Sequence, residues 1–173
     1  MFHAFSQRLD EAAGKFVIID TAPTGHSLLL LDATGSYHRD VMRNMTGKAQ
    51  MRINTALMKL QDKSYTRAIL VTLPETTPIL EAAELQADLQ RAGIEPFAWV
   101  VNGSLLAAQP TDPLLAVRAQ AEAGKIEHVD RKLAAQVALV PWLAREPVGL
   151  GGLRQLGGRG GTGRGVAVAA VAT

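Results

Sequence analysis

The sequence predicts a doubly wound α/β domain built on a parallel sheet, and three observations predict it. Four short apolar runs, residues 16–19, 68–73, 97–101 and 137–140, are rich in β-branched residues or flanked by turn formers. None alternates polar with apolar, which is the pattern of strands buried on both faces. Stretches of helical character separate the runs, and strand alternating with helix in this way gives right-handed crossovers in one sheet. Such sheets bind ligands at the carboxyl ends of their strands. That edge is where functional residues are expected.

The first run leads directly into Asp20 and a turn-forming stretch, Thr21-Ala-Pro23-Thr24-Gly25-His26. Residues 32–64 are less legible. Met42, Met45, Met51 and Met58, with Ile53, Leu57 and Leu60, can line helical faces, either as ordinary core or as a methionine-rich surface that accepts varied partners. After the second run a helix is expected over residues 78–92. Thr77 serves as N-cap, Pro78 takes the first helical position, and Gly93 ends the helix in a left-handed conformation. Its stripe of Ile79, Ala82, Leu85, Leu89 and Ala92 would face the sheet. The third run ends at Asn102-Gly103, which by itself reads as a turn. Asp112-Pro113 then opens a second helix that continues at least to Ala123, with Gly124 placed to break it before a further helical stretch through residues 132–135.

The fourth run is followed by Pro141, Trp142 and a loop to Pro147. From Gly149 the composition changes, with nine of the 16 glycines lying between residues 149 and 165. Glycine at that density holds regular structure only at a high entropic cost, so residues 157–173 read as a flexible tail behind a domain of residues 1–156. The triplet Arg159-Gly160-Gly161 is of a kind found in RNA-binding segments, but it is single and has no aromatic residues beside it. A terminus translated out of frame explains it as well, and no nucleic-acid partner is expected.

Composition sets further bounds. The chain has 173 residues, 47% hydrophobic and 20% charged, enough for one compact domain with a core. All 16 acidic residues and 15 of the 18 Lys and Arg precede residue 150, so the formal net charge of +2 comes from Arg154, Arg159 and Arg164. A near-neutral body carries no broad field for nucleic acid or anionic lipid. With no cysteine, disulfides and thiolate metal sites are excluded, which suits a cytoplasmic protein. No apolar run approaches the roughly 20 residues that span a bilayer, so direct membrane insertion is not expected.

The strongest chemical signal is Phe16-Val-Ile-Ile-Asp20-Thr21-Ala-Pro23-Thr24-Gly25-His26. An Asp at the end of a buried strand can hold a magnesium ion through water while the next loop senses a terminal phosphate. It can equally cap the following turn.

The heptapeptide Asp20-Thr-Ala-Pro-Thr-Gly-His26 resembles the signature of the arsenite pump-driving ATPases. The likeness continues through Leu28-Leu-Leu-Leu-Asp-Ala-Thr34, Tyr37-His38-Arg39, Val71-Thr-Leu-Pro-Glu75-Thr-Thr-Pro78 and Leu85-Gln-Ala-Asp-Leu-Gln-Arg-Ala-Gly93-Ile. Val100-Val-Asn102, Ala138-Leu-Val-Pro-Trp142 and Glu146-Pro147-Val-Gly149 extend it, so that residues 2–156 follow the family in order and spacing. The match is most similar to the second of the two homologous halves of the duplicated bacterial proteins.

The resemblance implies a P-loop NTPase-like fold and a set of roles. Asp20 would be the magnesium-associated acid, with Thr21, Pro23, Thr24 and Gly25 in a switch loop. Asn102 would hydrogen-bond the adenine of ATP, an edge that an amide suits because it both donates and accepts. Pro141 and Trp142 would be apolar contacts of the base, though Trp142 reads equally well as an anchoring Trp. His26 would lie at the metalloid site, where imidazole can serve as a ligand beside thiolates, or be a loop His bonded to backbone. The implied cofactors are ATP and Mg2+, with arsenite or antimonite as effector. The implied partners are a membrane arsenite transporter subunit and either an N-terminal part or a second ATPase half. Location would be cytoplasmic, peripheral to the inner membrane through that partner.

One motif is missing from the 173 residues: no Gly-rich turn is followed by Lys and Ser or Thr, so no P-loop cradles the phosphates. The expected sheet is therefore incomplete, lacking the P-loop strand, and the chain alone is expected to be inactive. Two rival readings are a relative of the ATPases that target tail-anchored proteins, which share the heptapeptide but often carry a zinc-binding Cys-x-x-Cys pair, and a non-catalytic fragment that only packs against a partner chain.

Overall fold

The computed structural model describes residues 16–20, 56–156 and 167–168. In chain order the elements are α1 (Ala56–Gln61), β1 (Ala68–Thr72), α2 (Thr76–Arg91), β2 (Pro96–Ser104), α3 (Leu105–Ala108), α4 (Pro113–His128), a π-helical turn (Val129–Leu133), β3 (Val137–Pro141), α5 (Gly149–Leu156) and β4 (Ala167–Val168). They fall into two compact units, Met1–Arg67 with Leu85–Glu95, and Ala68–Glu84 with Pro96–Thr173.

In the first unit, Asp62 closes α1 with a side-chain turn. Its carboxylate accepts from the Ser64 amide at 2.8 Å and the Ser64 hydroxyl at 2.6 Å. These bonds to Ser64 hold the Asp62 carboxyl below its ordinary value. The end of α2 forms as the sequence predicts. Gly93 has φ 76°, its N–H donates to the Gln90 carbonyl at 2.9 Å, and the Ile94 N–H donates to the Leu89 carbonyl at 2.8 Å. That pair of bonds is the Schellman pattern, and Ile94 is buried, as the motif's hydrophobic contact requires. Gln61 Nε2 donates to the Ala92 carbonyl at 2.8 Å, satisfying another acceptor left open by the helix end.

The helix starts earlier than predicted, at Thr76, and the Ile79 N–H donates to the Glu75 carbonyl at 3.2 Å. Pro78 therefore lies within the first turn instead of opening it. No backbone N–H of that turn has an intrahelical acceptor, so proline fits there without losing a bond.

The second unit holds a parallel sheet in the order β1-β2-β3-β4. Sheet and helices alternate along the chain, an α/β architecture consistent with part of a P-loop NTPase fold. The register aligns Leu70, Trp99 and Val137 in one row and Thr72, Val101 and Leu139 in another. All six are buried. Ala119 and Ile126 of α4 are buried too, so the covered face and this helix stripe form the core, in which each large apolar side chain contributes about 1.5–3 kcal/mol. Asp112 caps α4 as predicted, its carboxylate accepting from the amides of Leu114 at 2.9 Å and Leu115 at 3.0 Å.

Several expectations are corrected. The run 16–19 forms no strand, and Phe16 and Ile18 are 92% and 81% exposed. An apolar run becomes a buried strand only with ladder partners, and residues 16–20 have none among the described strands. Burial on both faces also fails for β1, where Ile69 and Val71, opposite in direction to Leu70 and Thr72, are 52% and 62% exposed. Apolar residues on both sides allow double coverage, but the covering elements decide it. Gly124 does not break α4, which runs unbroken to His128, since glycine weakens a helix interior by only about 1 kcal/mol.

Residues 149–156 form a helix despite three glycines. A Cβ on Gly152 would lie 2.8 Å from the Pro147 carbonyl carbon, so the helix uses this glycine for close approach. Within the stretch read as a flexible tail, Ala167 and Val168 pair with Ala138 and Leu139, and residues 157–166 and 169–173 lie outside the described residues.

Candidate functional site

The carboxyl edge of the sheet is shaped by an irregularity in β2. Val101 pairs with Leu139 and Ser104 with Pro141, so Asn102 and Gly103 together oppose Val140 alone. This is a bulge. Without it, the period of two would place Gly103 on the covered face with Trp99 and Val101, and Ser104 on the other. With the extra residue Ser104 is instead fully buried on the covered face, while Asn102, next after Val101, stays on the opposite side and is exposed at the edge. Gly103 supports the bulge with φ 67°, a conformation that side chains other than glycine rarely adopt.

Three strand ends converge on Gly103. The position of a Cβ there would be 3.7 Å from Trp142 Cε3, after β3, and 3.8 Å from Leu73 Cδ2, after β1. Trp142 is 63% exposed, and its backbone N–H donates to the Ser104 carbonyl at 2.9 Å. The result is an open ledge with an exposed amide, a stretch of backbone bare of side chain, and an exposed indole. A planar heterocycle can rest on such a ledge and present its polar edge to an amide. The adenine end of ATP therefore fits the residues present.

Below the ledge lies a buried polar cluster that the sequence reading missed. Glu122, on the sheet-facing stripe of α4 with Ala119 and Ile126, is 8% exposed. Its carboxylate accepts from Ser104 Oγ at 2.9 Å, the Leu105 amide at 3.2 Å and the Leu106 amide at 3.0 Å. Ser104 Oγ in turn accepts from the Ala107 amide at 3.1 Å, capping α3. Among the described residues no buried side-chain nitrogen or oxygen lacks a partner. The signal in the sequence was an acid at a core-facing helical spacing, 119, 122 and 126.

The structure thus brings Asn102 and Trp142 to one edge. Pro141 is buried as the last residue of β3, its place set by pairing with Ser104. Asp20 is exposed at the end of the irregular stretch 16–20, in the first unit. Thr21, Pro23, Thr24, Gly25 and His26 lie outside the described residues. Among the described residues no three His, Asp or Glu gather as a metal site, and no helix is long and apolar enough to cross a membrane. A separate hollow of about 480 Å3 is lined by Leu106, Ala107, Ile126 and Leu139, with Glu127 and Arg131 paired to each other at 3.0 Å. Asp130 lines it too, leaving one acid beyond that ion pair, and none of Asn102, Gly103 and Trp142 is part of its lining.

Comparison with known proteins bears on the family of the chain. Residues 30–159 match the family model described as anion-transporting ATPase. The chain is 56% identical over 158 residues to an arsenical pump-driving ATPase of Escherichia coli, covering 91% of this chain and 27% of the relative. It is 54% identical over 156 residues to an arsenical pump-driving ATPase of Acidiphilium multivorum, covering 90% of this chain and 26% of that protein. The chain spans about a quarter of the length of the curated relatives it matches. With three-quarters of its length matched by that family model, and a parallel α/β sheet consistent with it, the chain belongs to the anion-transporting ATPase family.

Proposed function

We propose that the chain is a segment of an ATPase that couples ATP binding and hydrolysis to the export of arsenite or antimonite through a membrane transporter subunit. The observation that carries this reading is the ledge of Asn102, Gly103 and Trp142 at the carboxyl edge of a parallel sheet, in a chain of an ATPase family. Asn102 reads the edge of adenine, and Trp142 lies against its ring. Asp20 serves the magnesium ion, and Thr21, Pro23, Thr24 and Gly25 form the loop that links nucleotide state to the metalloid, with His26 beside that site. Bound ATP supplies the phosphoryl group, and Mg2+ supplies neutralising charge. The phosphate cradle is not among the 173 residues, so a second segment or ATPase half completes the site. A cytoplasmic location at the inner membrane follows from the transporter partner.

A chimera tests the proposal: the Escherichia coli relative with its matched segment replaced by this chain. Arsenite-stimulated ATP hydrolysis is the expected result, and Asp20→Asn should remove the hydrolysis while leaving ATP binding in place. A folded chimera that binds no ATP, or one in which Asp20→Asn hydrolyses at full rate, contradicts it.

A further inference from the structure

We propose that Glu122 is a positioning residue for base recognition: from beneath the sheet edge it fixes the Asn102-Gly103 bulge and the Trp142 ledge, and so sets the preference for adenine. The proposal rests on the reading of the ledge as the adenine site and adds a residue that does not touch the base.

The geometry is specific. A bulge is a soft point in a strand, because two residues share the place of one and the ladder is interrupted. Asn102 stands in that soft point, and its register depends on the next anchored residue along the chain. Ser104 is that residue, and its side-chain oxygen and its carbonyl are both hydrogen-bonded to named partners. Its hydroxyl donates to Glu122 at 2.9 Å, and its carbonyl accepts from the Trp142 N–H at 2.9 Å. The Leu105 and Leu106 amides also donate to Glu122, at 3.2 Å and 3.0 Å.

One carboxylate thus ties helix α4 to the chain just after the bulge, and the Ser104 carbonyl passes that restraint to the backbone of Trp142. Bonds to a carboxylate are roughly twice as strong as neutral ones. A buried acid retained at a core position where an apolar residue would pack against the sheet calls for a compensating use, and three bonds to one turn provide it. Both halves of the ledge, amide and indole, depend on Ser104, which is why a single acid can govern them together.

The test uses the 173-residue chain labelled with 15N, with Glu122→Gln as the first variant and Ser104→Ala as the second. Glutamine keeps the shape and one acceptor but cannot accept from three donors on two oxygens. Dispersed spectra and a buried Trp99 emission establish that each variant is folded. Amide hydrogen exchange at Gly103, Leu105 and Leu106 should accelerate at least tenfold in Glu122→Gln, while exchange in the centre of β3 stays as in the parent. Apparent affinity for ATP should fall about three- to tenfold and the ratio of ATP to GTP affinity should drop toward one. Ser104→Ala should give the same direction with a smaller change, and the double variant should be no worse than Glu122→Gln.

A folded Glu122→Gln with parental exchange at Gly103 overturns the clamp. Accelerated exchange with parental ATP affinity and selectivity overturns the positioning role and leaves Glu122 as a stabilising residue only. A parent chain that shows no preference for ATP over GTP removes the adenine reading itself, and the positioning role falls with it, a result distinct from the other two because it needs no variant.

Discussion

Asn102 and Glu122 differ in how each could be found. Asn102 ends an apolar run before a glycine, which by itself signals only a turn, and resemblance to a family gave it a role. The structure adds where it stands: next after the buried Val101, on the side of the strand away from the core, where the bulge with Gly103 begins. Glu122 was not legible as a site, because an acid between alanines on a helix reads as solvent-facing until the helix is placed on the sheet. For Asn102→Ala in the chimera, ATP binding should weaken by about 1–3 kcal/mol, roughly tenfold to a hundredfold, with selectivity over GTP reduced. Equilibrium binding with both nucleotides measures it. A lower melting temperature with unchanged affinity and selectivity would make Asn102 a turn former only.

Elements were legible where local chemistry decides them. The strands at residues 68–73, 97–101 and 137–140 appear as β1, β2 and β3 within a few residues of the runs that announced them. The Asp112 cap and the Gly93 helix end appear with the bonds their residue types call for. Less legible were features settled by partners in space. The apolar run at residues 16–19 has the composition of a strand but no ladder partner among the described residues, and α5 forms on a glycine-rich sequence because Gly152 can approach Pro147 closely. The cap yields a direct prediction. Replacing Asp112 by Ala leaves the amides of Leu114 and Leu115 without their shared acceptor and should lower stability by about 1 kcal/mol. Denaturant unfolding with an unchanged slope and a lower midpoint is the expected result. An unchanged midpoint would mean that water replaces the carboxylate at no cost.

For the molecule as a whole, the parallel α/β class followed from runs without alternation, and it holds. Their coverage did not follow, since Ile69 and Val71 stand exposed on the face opposite the core. The same limit applies to the nucleotide site. The adenine end proposed for it, Asn102, Gly103 and Trp142, lies within the second unit. The loop that would face the phosphates, residues 21–26, lies outside the described residues, and the chain covers about a quarter of its curated relatives. This segment is therefore proposed to carry the base-recognising edge of the nucleotide site.

The most direct test is a titration of the 15N-labelled chain with ATP and, separately, with GTP. Without a phosphate cradle the affinity should be weak, on the order of millimolar. The Trp142 indole N–H and the Asn102 side-chain amide should shift together and saturate with ATP, while GTP shifts them less and the buried Trp99 indole stays in place. Shifts of equal size with both nucleotides, or none at Asn102 and Trp142 at saturating ATP, would contradict the claim.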